Sequence, residues 1–236
     1  MSSARDAILG GIRRALKRGP LSAETASALA ERVAVHRRNL VPARAAALDH
    51  TGQVDLFVAM AEEVQTTVAR VASDADVPGE VARYLAAENL PAELVMAPDP
   101  ALAAIPWDSR PLLQIRRGRA GAGDAVSLAP CLAAIAETGT LMLVSGPGTP
   151  TTLNFLPDTE IIVVRAGQVA ASYEDGWDVV RAVPEALPRT INFITGPSRT
   201  GDIEQRIQLG AHGPRRLHVV LIEESAENEK HAPPGS

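Results

Sequence analysis

TGPSRTGDIE, residues 195–204, carries the strongest fold signal in this sequence. A short β-rich run, 190–194, precedes it, and the near-continuous apolar run RLHVVLI, 216–222, follows it. Gly-Pro favours a turn, and Ser, Thr and Asp favour the start of a helix. The pattern therefore predicts a strand, a turn, a helix over 203–209 and a second strand, which is a βαβ unit of a parallel sheet.

This βαβ unit predicts an anion-binding corner. Open α/β sheets bind ligands at the carboxyl ends of their strands, and a helix N-terminus offers free amides to an anion. We expect the corner to consist of Gly196, Ser198, Arg199 and Thr200, with the guanidinium beside the amides. The alternative is that Ser198 or Thr200 only caps the helix. His212, which enters the last strand, is expected at the opposite end of the sheet.

Length and composition indicate one large α/β domain preceded by helices. The chain has 236 residues, of which 46% are hydrophobic and only 3% aromatic, so Ala, Val, Leu and Ile must build the core. We expect a helical N-terminal extension over 1–50, an α/β domain over 51–226 and a disordered tail over 227–236.

Charge and hydropathy make several classes of protein improbable. The net charge of −5 disfavours nucleic acid as a partner. No apolar run approaches the ~20 residues that span a bilayer, and the first residues lack the apolar segment of a secretory signal. The expectation is a cytoplasmic protein without a membrane span.

The single cysteine, Cys131, and the scattered histidines predict a chain without metal or redox cofactor. One cysteine cannot form an internal disulfide, and an iron–sulfur cluster typically needs about four. Cys131 lies in an apolar context and is expected to be a small buried side chain. The histidines show no metal-ligand spacing, so no metal site is expected.

Apolar periodicity gives a coarse assignment of the remaining elements. Helices are predicted at the following positions: 8–18, 22–38, 57–71, 79–89, 128–136 and 175–182. Strands are predicted at 93–96, 141–144 and 161–164, with a proline-rich loop over 98–110.

AETGT, residues 136–140, joins the predicted helix 128–136 to an apolar strand. Gly139 suits the left-handed position that ends a helix. Glu137 would then lie in the last helical turn, where the helix dipole disfavours an anion. A residue placed against its local preference indicates function, so Glu137 is a candidate catalytic residue, with Thr138 and Gly139 as ligand contacts. The alternative is an ordinary exposed glutamate.

Two loops have compositions that suit anions. SGPGTPTTLN, 145–154, offers backbone freedom and neutral donors and acceptors, Thr149 among them, and predicts a pocket for a phosphate or carboxylate. It lacks the Gly-Lys-Ser/Thr end of a Walker A loop. The basic glycine-rich RRGRAGAG, 116–123, is not followed by a helix and is expected to be a flexible surface loop. The alternative for residues 145–154 is a long ordered loop without function.

Four short motifs occur in the order seen in the LUD-domain family, which this chain resembles over about residues 50–225. They are AETGT at 136–140, Leu-Pro at 156–157, GPS to DIE at 196–204 and GAHGP at 210–214. The resemblance implies a fold of the NagB/RpiA/CoA-transferase class and a role in oxidising L-lactate to pyruvate. It also implies two iron–sulfur partner proteins, which would hold the clusters.

The chain departs from the family pattern in one loop. Family members often carry an arginine before the Leu-Pro, where this chain has TPTTLN, 149–154. A carboxylate clamp at that arginine would be absent here or would pass to Arg199. The alternative function is a stand-alone CoA-transferase-like or nucleotide-binding enzyme that uses Glu137, since a carboxylate can be a covalent nucleophile. A small carboxylate or phosphate-bearing ligand suits either function.

Overall fold

The structure is a computed structural model, and it divides into two compact units, Met1–Leu40 and Val41–Ser236. The described residues are 3–17, 19–38, 41–183, 187–203, 206–209 and 212–223. The predicted tail, 227–236, lies outside them. The predicted domain limits at residues 50 and 226 stay predictions.

Helices and strands alternate through most of the second unit. The described residues form seven α-helices: α1 Ala4–Ala15, α2 Ala23–Val35, α3 Ala43–Ala46, α4 His50–Glu63, α5 Val77–Ala87, α6 Pro100–Ala103 and α7 Tyr173–Ala182. They also form twelve strands: β1 Thr67–Val71, β2 Glu93–Met96, β3 Gln114–Arg117, β4 Val126–Pro130, β5 Ala133–Ile135, β6 Thr140–Val144, β7 Thr159–Arg165, β8 Val169–Ala170, β9 Ile191–Ile194, β10 Arg199–Ile203, β11 Arg206–Leu209 and β12 Arg216–Ile222.

A six-stranded sheet in the order β1-β12-β7-β4-β2-β3 forms the centre of the second unit, and every pairing in it is parallel. A smaller sheet has the order β8-β5-β6-β9, with β6 antiparallel to both β5 and β9. The predicted fold class, α/β with a mostly parallel sheet flanked by helices and a helical N-terminal region, is confirmed. The likeness to the NagB/RpiA/CoA-transferase class stays an implication of the resemblance.

Continuous apolar strands account for the success of the central prediction. In β12 every residue after Arg216 is buried, and in β7 every residue before Arg165 is buried. Strands covered on both faces need no polar alternation, which is why they appear in the sequence as near-continuous apolar runs. Cys131 is 4% exposed, as predicted.

The helix predicted over 203–209 is wrong. The chain forms an antiparallel hairpin there, with Arg199 opposite Leu209 and a register shift between Thr200 and Ile203. Residues 206–209, RIQL, alternate polar and apolar with the period of a strand, and this local pattern outweighs the capping residues before it. The predicted βαβ unit therefore does not exist.

The helix predicted over 128–136 is also wrong, because this segment contains β4 and β5. Periodicity alone cannot separate a buried strand from a buried helix in a short apolar run, and the alanines conceal the difference. Pro130 ends β4, and the chain passes from the large sheet into the small one at Cys131 and Leu132.

The helix predicted over 57–71 is displaced, because α4 begins at His50 and ends before Val64. Helix α4 ends at Glu63, and Val68 and Val71 lie in β1. Gln65 has φ +68°, a left-handed conformation that ends the helix before the strand begins. The loop predicted over 98–110 contains the short helix α6. Among the described residues, no helix combines the length and the apolar character needed to cross a bilayer.

Candidate functional site

A cleft of about 980 Å³ opens beyond the carboxyl ends of β2, β3 and β4. We call it the carboxyl-edge cleft. Its walls come from the segments that follow those strands, from the loop after β6, and from the end of α7 with the segment beyond it. The lining residues are Asp99, Arg119, Leu132, Val144, Ser145, Gly146, Pro147, Gly148, Thr149, Pro150, Thr151, Thr152, Val180, Val183, Leu187, Pro188 and Arg189.

The topology of the large sheet marks the same place. From β2 the chain continues to β3 at the edge of the sheet, whereas from β4 it continues through the small sheet to β7, on the other side. Connections that leave two adjacent strands in opposite directions create a crevice at their carboxyl ends, where open α/β sheets bind ligands. Strand order and cleft thus agree on one candidate site.

The loop after β6 is held in place by backbone contacts. The amides and carbonyls of Gly146 and Thr149 bond each other reciprocally at 3.2 Å, which closes a tight turn. The Ser145 amide donates to the Thr190 carbonyl, and the Thr190 amide donates to Ser145 Oγ, both at 2.9 Å. These bonds fix the segment carrying Arg189 beside the loop.

Two arginines give the cleft its positive charge. Arg119 and Arg189 both line it and are both exposed. Asp99 also lines it, but its Oδ1 accepts from the amides of Ala101 and Leu102 and so caps α6. Thr152 Oγ1 is buried at the wall without a hydrogen-bond partner among the described residues. The cleft therefore offers donors to an anion.

Of the predicted site residues, Thr149 lies in this cleft. Its loop was identified by composition, and ligand binding there stays a prediction. The sequence interpretation missed both arginines: Arg119 was assigned to a surface loop, and Arg189 was given no role. A basic glycine-rich segment directly after an edge strand was the available signal for Arg119.

The turn between β5 and β6 packs on the end of α4, just before β1 begins, and so lies near the amino ends of the strands of the large sheet. This turn carries a cluster of hydroxyl groups. Thr140 Oγ1 lies 2.7 Å from Thr138 Oγ1, 2.9 Å from Tyr173 Oη and 2.7 Å from Thr195 Oγ1. Thr138 also donates to Tyr173 Oη at 3.2 Å. We call these four residues the hydroxyl cluster.

One arrangement of protons lets the contacts within the hydroxyl cluster use every hydroxyl proton. Thr138 donates to Tyr173, Tyr173 can donate to Thr140, and Thr195 can donate to Thr140 as well. Thr140, which has one proton and two acceptor sites, can return its proton to Thr138. With this arrangement of protons each donor is satisfied within the cluster, which stabilises the turn.

Glu137 lies in this turn, and the predicted helix end around it does not exist. Its Oε1 accepts from the amide of Tyr173, the first residue of α7, at 3.2 Å. A carboxylate at a helix N-terminus is favoured by the dipole, the reverse of the situation expected from the sequence. The contact gives Glu137 a structural role, and covalent catalysis by Glu137 stays a prediction.

Gly139 and Gly196 allow this edge to pack closely on α4. Gly139 has φ +64°, and a Cβ there would lie 2.3 Å from the amide nitrogen of Ala61. Gly196 has φ +79°, and its Cβ would lie 2.5 Å from the carbonyl oxygen of Val64. The left-handed conformation of Gly139 was predicted, although it belongs to a hairpin turn.

The predicted anion-binding corner relied on the free amides of a helix N-terminus. Strand β10 forms at that position instead, so this argument no longer supports the corner. The Ser198 amide donates to the Pro214 carbonyl at 2.8 Å, and Arg199 Nη2 lies 3.4 Å from the Val64 carbonyl at the end of α4. His212 donates its amide to Ser198 Oγ at 3.3 Å, so the two residues are adjacent rather than at opposite ends. Ligand binding by Gly196, Ser198, Arg199 and Thr200 stays a prediction.

The turn between β5 and β6 lies beside the segment from Gly196 to Ser198. Strand β6 pairs antiparallel with β9, so Thr140 meets Thr195. Both segments pack at the end of α4, just before β1 begins. This amino-edge region and the carboxyl-edge cleft are separate places.

His218 is a buried polar residue of the large sheet. It is 1% exposed, its Nδ1 lies 2.8 Å from Thr67 Oγ1, and its ring stacks on Tyr84 with a centroid distance of 3.9 Å. Burial lowers its pKa to about 4, against an opposing effect of Glu80, whose Oε1 lies 3.3 Å from Nε2. His218 is thus a polar residue of the core.

Glu160 was not singled out by the sequence interpretation. It is fully buried in β7, neither carboxylate oxygen has a partner among the described residues, and burial raises its pKa well above the ordinary value. An acidic residue within the apolar run TEIIVV was the available signal. Burial therefore favours the neutral form of this carboxyl group.

Relatives of this chain agree on one family. A model of the LUD domain matches residues 114–222, a range that contains the hydroxyl cluster and every residue lining the cleft except Asp99. The lactate utilization protein C of Deinococcus radiodurans is 37% identical over 161 residues, covering 64% of this chain and 70% of that protein.

Two further relatives match over shorter segments. The lactate utilization protein C of a Geobacillus species is 34% identical over 91 residues, and the uncharacterized protein NMB1437 of Neisseria meningitidis is 35% identical over 88. In each case the match covers 37% of this chain and 38% of the relative, so this chain spans about two fifths of their length.

A solved structure supports the same assignment. The crystal structure of a DUF162 family protein from Deinococcus radiodurans superposes with a TM-score of 0.57 and 26% identity, covering 74% of this chain and 99% of that one. The fold, the domain match and the relative covered over 70% of its length agree: the chain belongs to the LUD-domain family.

Proposed function

We propose that this chain is a component of a multi-protein system that oxidises L-lactate to pyruvate. The observation that carries the proposal is the 37% identity to a lactate utilization protein C over 70% of that protein's length. Other proteins with the same name, from Geobacillus and Bacillus, match at 33–34% identity over shorter segments.

The proposed partners are iron–sulfur subunits, with no cluster in this chain. Its one cysteine cannot supply the roughly four thiolates that a cluster needs. Cys131 is also a poor ligand: burial raises the pKa of its thiol to about 12, and the thiolate is the form that binds metal. Electron transfer from lactate would then use the partners' cofactors.

The proposed role of this chain is to bind a small carboxylate or phosphate-bearing ligand in the carboxyl-edge cleft. Support comes from the strand order, from the two arginines and from the turn at 146–149. The satisfied hydroxyl cluster and the capping role of Glu137 make the amino-edge region a less suitable place for chemistry. A cytoplasmic location belongs to the same proposal, and cell fractionation tests it.

Deletion of the gene from a lactate-using host, followed by complementation, tests the proposal. We expect the deletion strain to lose L-lactate oxidation and the complemented strain to regain it, with growth on glucose unchanged as the control. The tagged chain should co-purify with proteins that show iron–sulfur absorption. A deletion strain that oxidises lactate at the parental rate would contradict the proposal.

A further inference from the structure

The size of the carboxyl-edge cleft points to a ligand larger than lactate. Pockets that bury most of a drug-sized ligand have volumes of roughly 300–1,000 Å³, and this cleft, at about 980 Å³, lies at the upper end of that range. A small acid such as lactate would leave most of the space to water. The cleft therefore has room for a ligand with a second, larger part.

The cleft walls indicate the chemistry of that larger part. Five of the lining residues are aliphatic, namely Leu132, Val144, Val180, Val183 and Leu187, and we call this group the aliphatic wall. Val183 and Leu187 are 41% and 69% exposed, so this wall presents apolar surface that a ligand would cover. Covering it would favour binding in proportion to the apolar area removed from water.

Charged and hydroxyl-bearing side chains make up the polar part of the lining. Arg119 and Arg189 come from separate segments, and each carries a planar guanidinium suited to the oxygens of a phosphate. Ser145 and Thr149 add hydroxyl groups on the loop between them in sequence. Asp99 also lines the cleft, but its Oδ1 accepts from the amides of Ala101 and Leu102, and the two exposed arginines give the lining an excess of positive charge that favours an anion.

We infer that the carboxyl-edge cleft binds a phosphate ester of nucleotide size, with its phosphates at Arg119 and Arg189 and its apolar part against the aliphatic wall. The inference rests on the proposed function only in taking this cleft as the ligand site. It adds the chemical class of the ligand and divides the site into an anionic and an apolar half.

Titration calorimetry of the full chain with five probes tests the inference. The probes are ATP, coenzyme A, inorganic pyrophosphate, L-lactate and pyruvate. We expect ATP or coenzyme A to bind at least tenfold more tightly than L-lactate or pyruvate. Failure of both nucleotides to bind, or equal binding of lactate, would overturn the inference.

Variants locate the binding. Arg119→Ala and Arg189→Ala should each weaken nucleotide binding roughly tenfold, the usual effect of removing one charge-assisted hydrogen bond. Arg117→Ala is the matched control: this arginine is exposed on β3 and does not line the cleft, so binding should change less than twofold. Equal losses in all three variants would indicate general charge attraction and overturn the assignment to the cleft.

A further variant tests whether the aliphatic wall contributes to binding. Val183→Asn removes aliphatic contact without adding charge, and Val183 is exposed enough for the fold to tolerate it. We expect weaker nucleotide binding and unchanged pyrophosphate binding; unchanged binding of both would overturn the assignment of the aliphatic wall. Lactate oxidation in the complemented strain is measured separately, so failure of nucleotide binding is distinguishable from failure of the proposed function.

Discussion

The hydroxyl cluster and the carboxyl-edge cleft are both rich in threonine, but their surroundings differ. In the hydroxyl cluster, Thr140 is fully buried and contacts three other hydroxyls at 2.7–2.9 Å. In the cleft, Thr149 lines an open space beside two exposed arginines. Residue type alone does not separate a structural site from a binding site; the satisfaction of the polar groups does.

Backbone geometry shows the same contrast. A Cβ at Gly139 would lie 2.3 Å from the backbone of α4, whereas a Cβ at Gly148 would meet the Pro98 carbonyl at an ordinary 3.6 Å. The amino-edge region is thus packed without spare volume, and the cleft loop has room to adjust. Substitutions at matched positions should separate the two regions by their effects on stability and function.

The largest expected effect is that of Gly139→Ala. The new Cβ would clash with the Ala61 amide, and φ +64° disfavours any side chain, so we expect a loss of about 3–5 kcal/mol or failure to fold. Gly148→Ala is the matched control and should cost less than about 1 kcal/mol. Urea unfolding measures both. Equal stabilities would contradict the difference in packing.

The next effect is the pH dependence that His218 creates. Its pKa is lowered to about 4 in the folded state, against about 6.5 when unfolded. Between these values the unfolded state binds a proton that the folded state excludes, so the free energy of unfolding falls as pH falls. The expected contribution is about 3 kcal/mol, fully present above pH 6.5 and lost by about pH 4.

Urea unfolding at pH 7.5, 6 and 4.5 measures this dependence. His218→Gln should lower stability at pH 7.5 and flatten the slope below pH 6.5. His212→Ala, at an exposed histidine, is the control and should leave the slope unchanged. A parental slope in His218→Gln would show that another group is responsible.

A smaller effect is expected from Thr140→Val. The substitution keeps the shape but leaves Thr138, Tyr173 and Thr195 without their common partner, at a cost of about 1–3 kcal/mol. Thr149→Val, in the cleft, should change stability by no more than about 0.5 kcal/mol. Thermal unfolding compares them. A larger loss for Thr149→Val would reverse the comparison.

The smallest effect on stability is expected from Glu137→Gln. It removes a carboxylate from the N-terminus of α7 and should cost about 0.3–1 kcal/mol. Glu174→Gln, in the first turn of the same helix, is the matched variant and should have a similar cost. Mass spectrometry after incubation with acetyl-CoA should show no adduct at Glu137. An adduct there would favour the transferase alternative.

The parts of the fold that were predicted share long, unambiguous signals. In strand β12 five of the seven residues are apolar, and α5 begins at Val77 with Pro78 in its first turn. The errors occur where the apolar run is short, or where one segment carries both a helix pattern and a strand pattern. Residues 128–136 form an alanine-rich run without a clear period. At 198–209 the prediction gave the capping residues more weight than the alternation in RIQL, which forms a strand.

The candidate site was harder to predict, because contacts distant in sequence create it. Arg189 reaches the cleft because Thr190 pairs with Ser145, a contact between residues 45 positions apart. Glu137 acquires its role from α7, which begins 36 residues later. Thr149 could be found because its loop combines glycines and hydroxyls, a composition that suggests a binding loop without any knowledge of its neighbours.

The most direct test of the account is the L-lactate oxidation rate of the deletion strain complemented with two variants of known stability. The account predicts that the double variant Arg119→Ala/Arg189→Ala melts within about 2 °C of the parent yet loses most of the rate, since both side chains are exposed in the cleft. Glu137→Gln should keep the rate. A parental rate in the double variant, together with loss of the rate in a stably folded Glu137→Gln, would contradict the account.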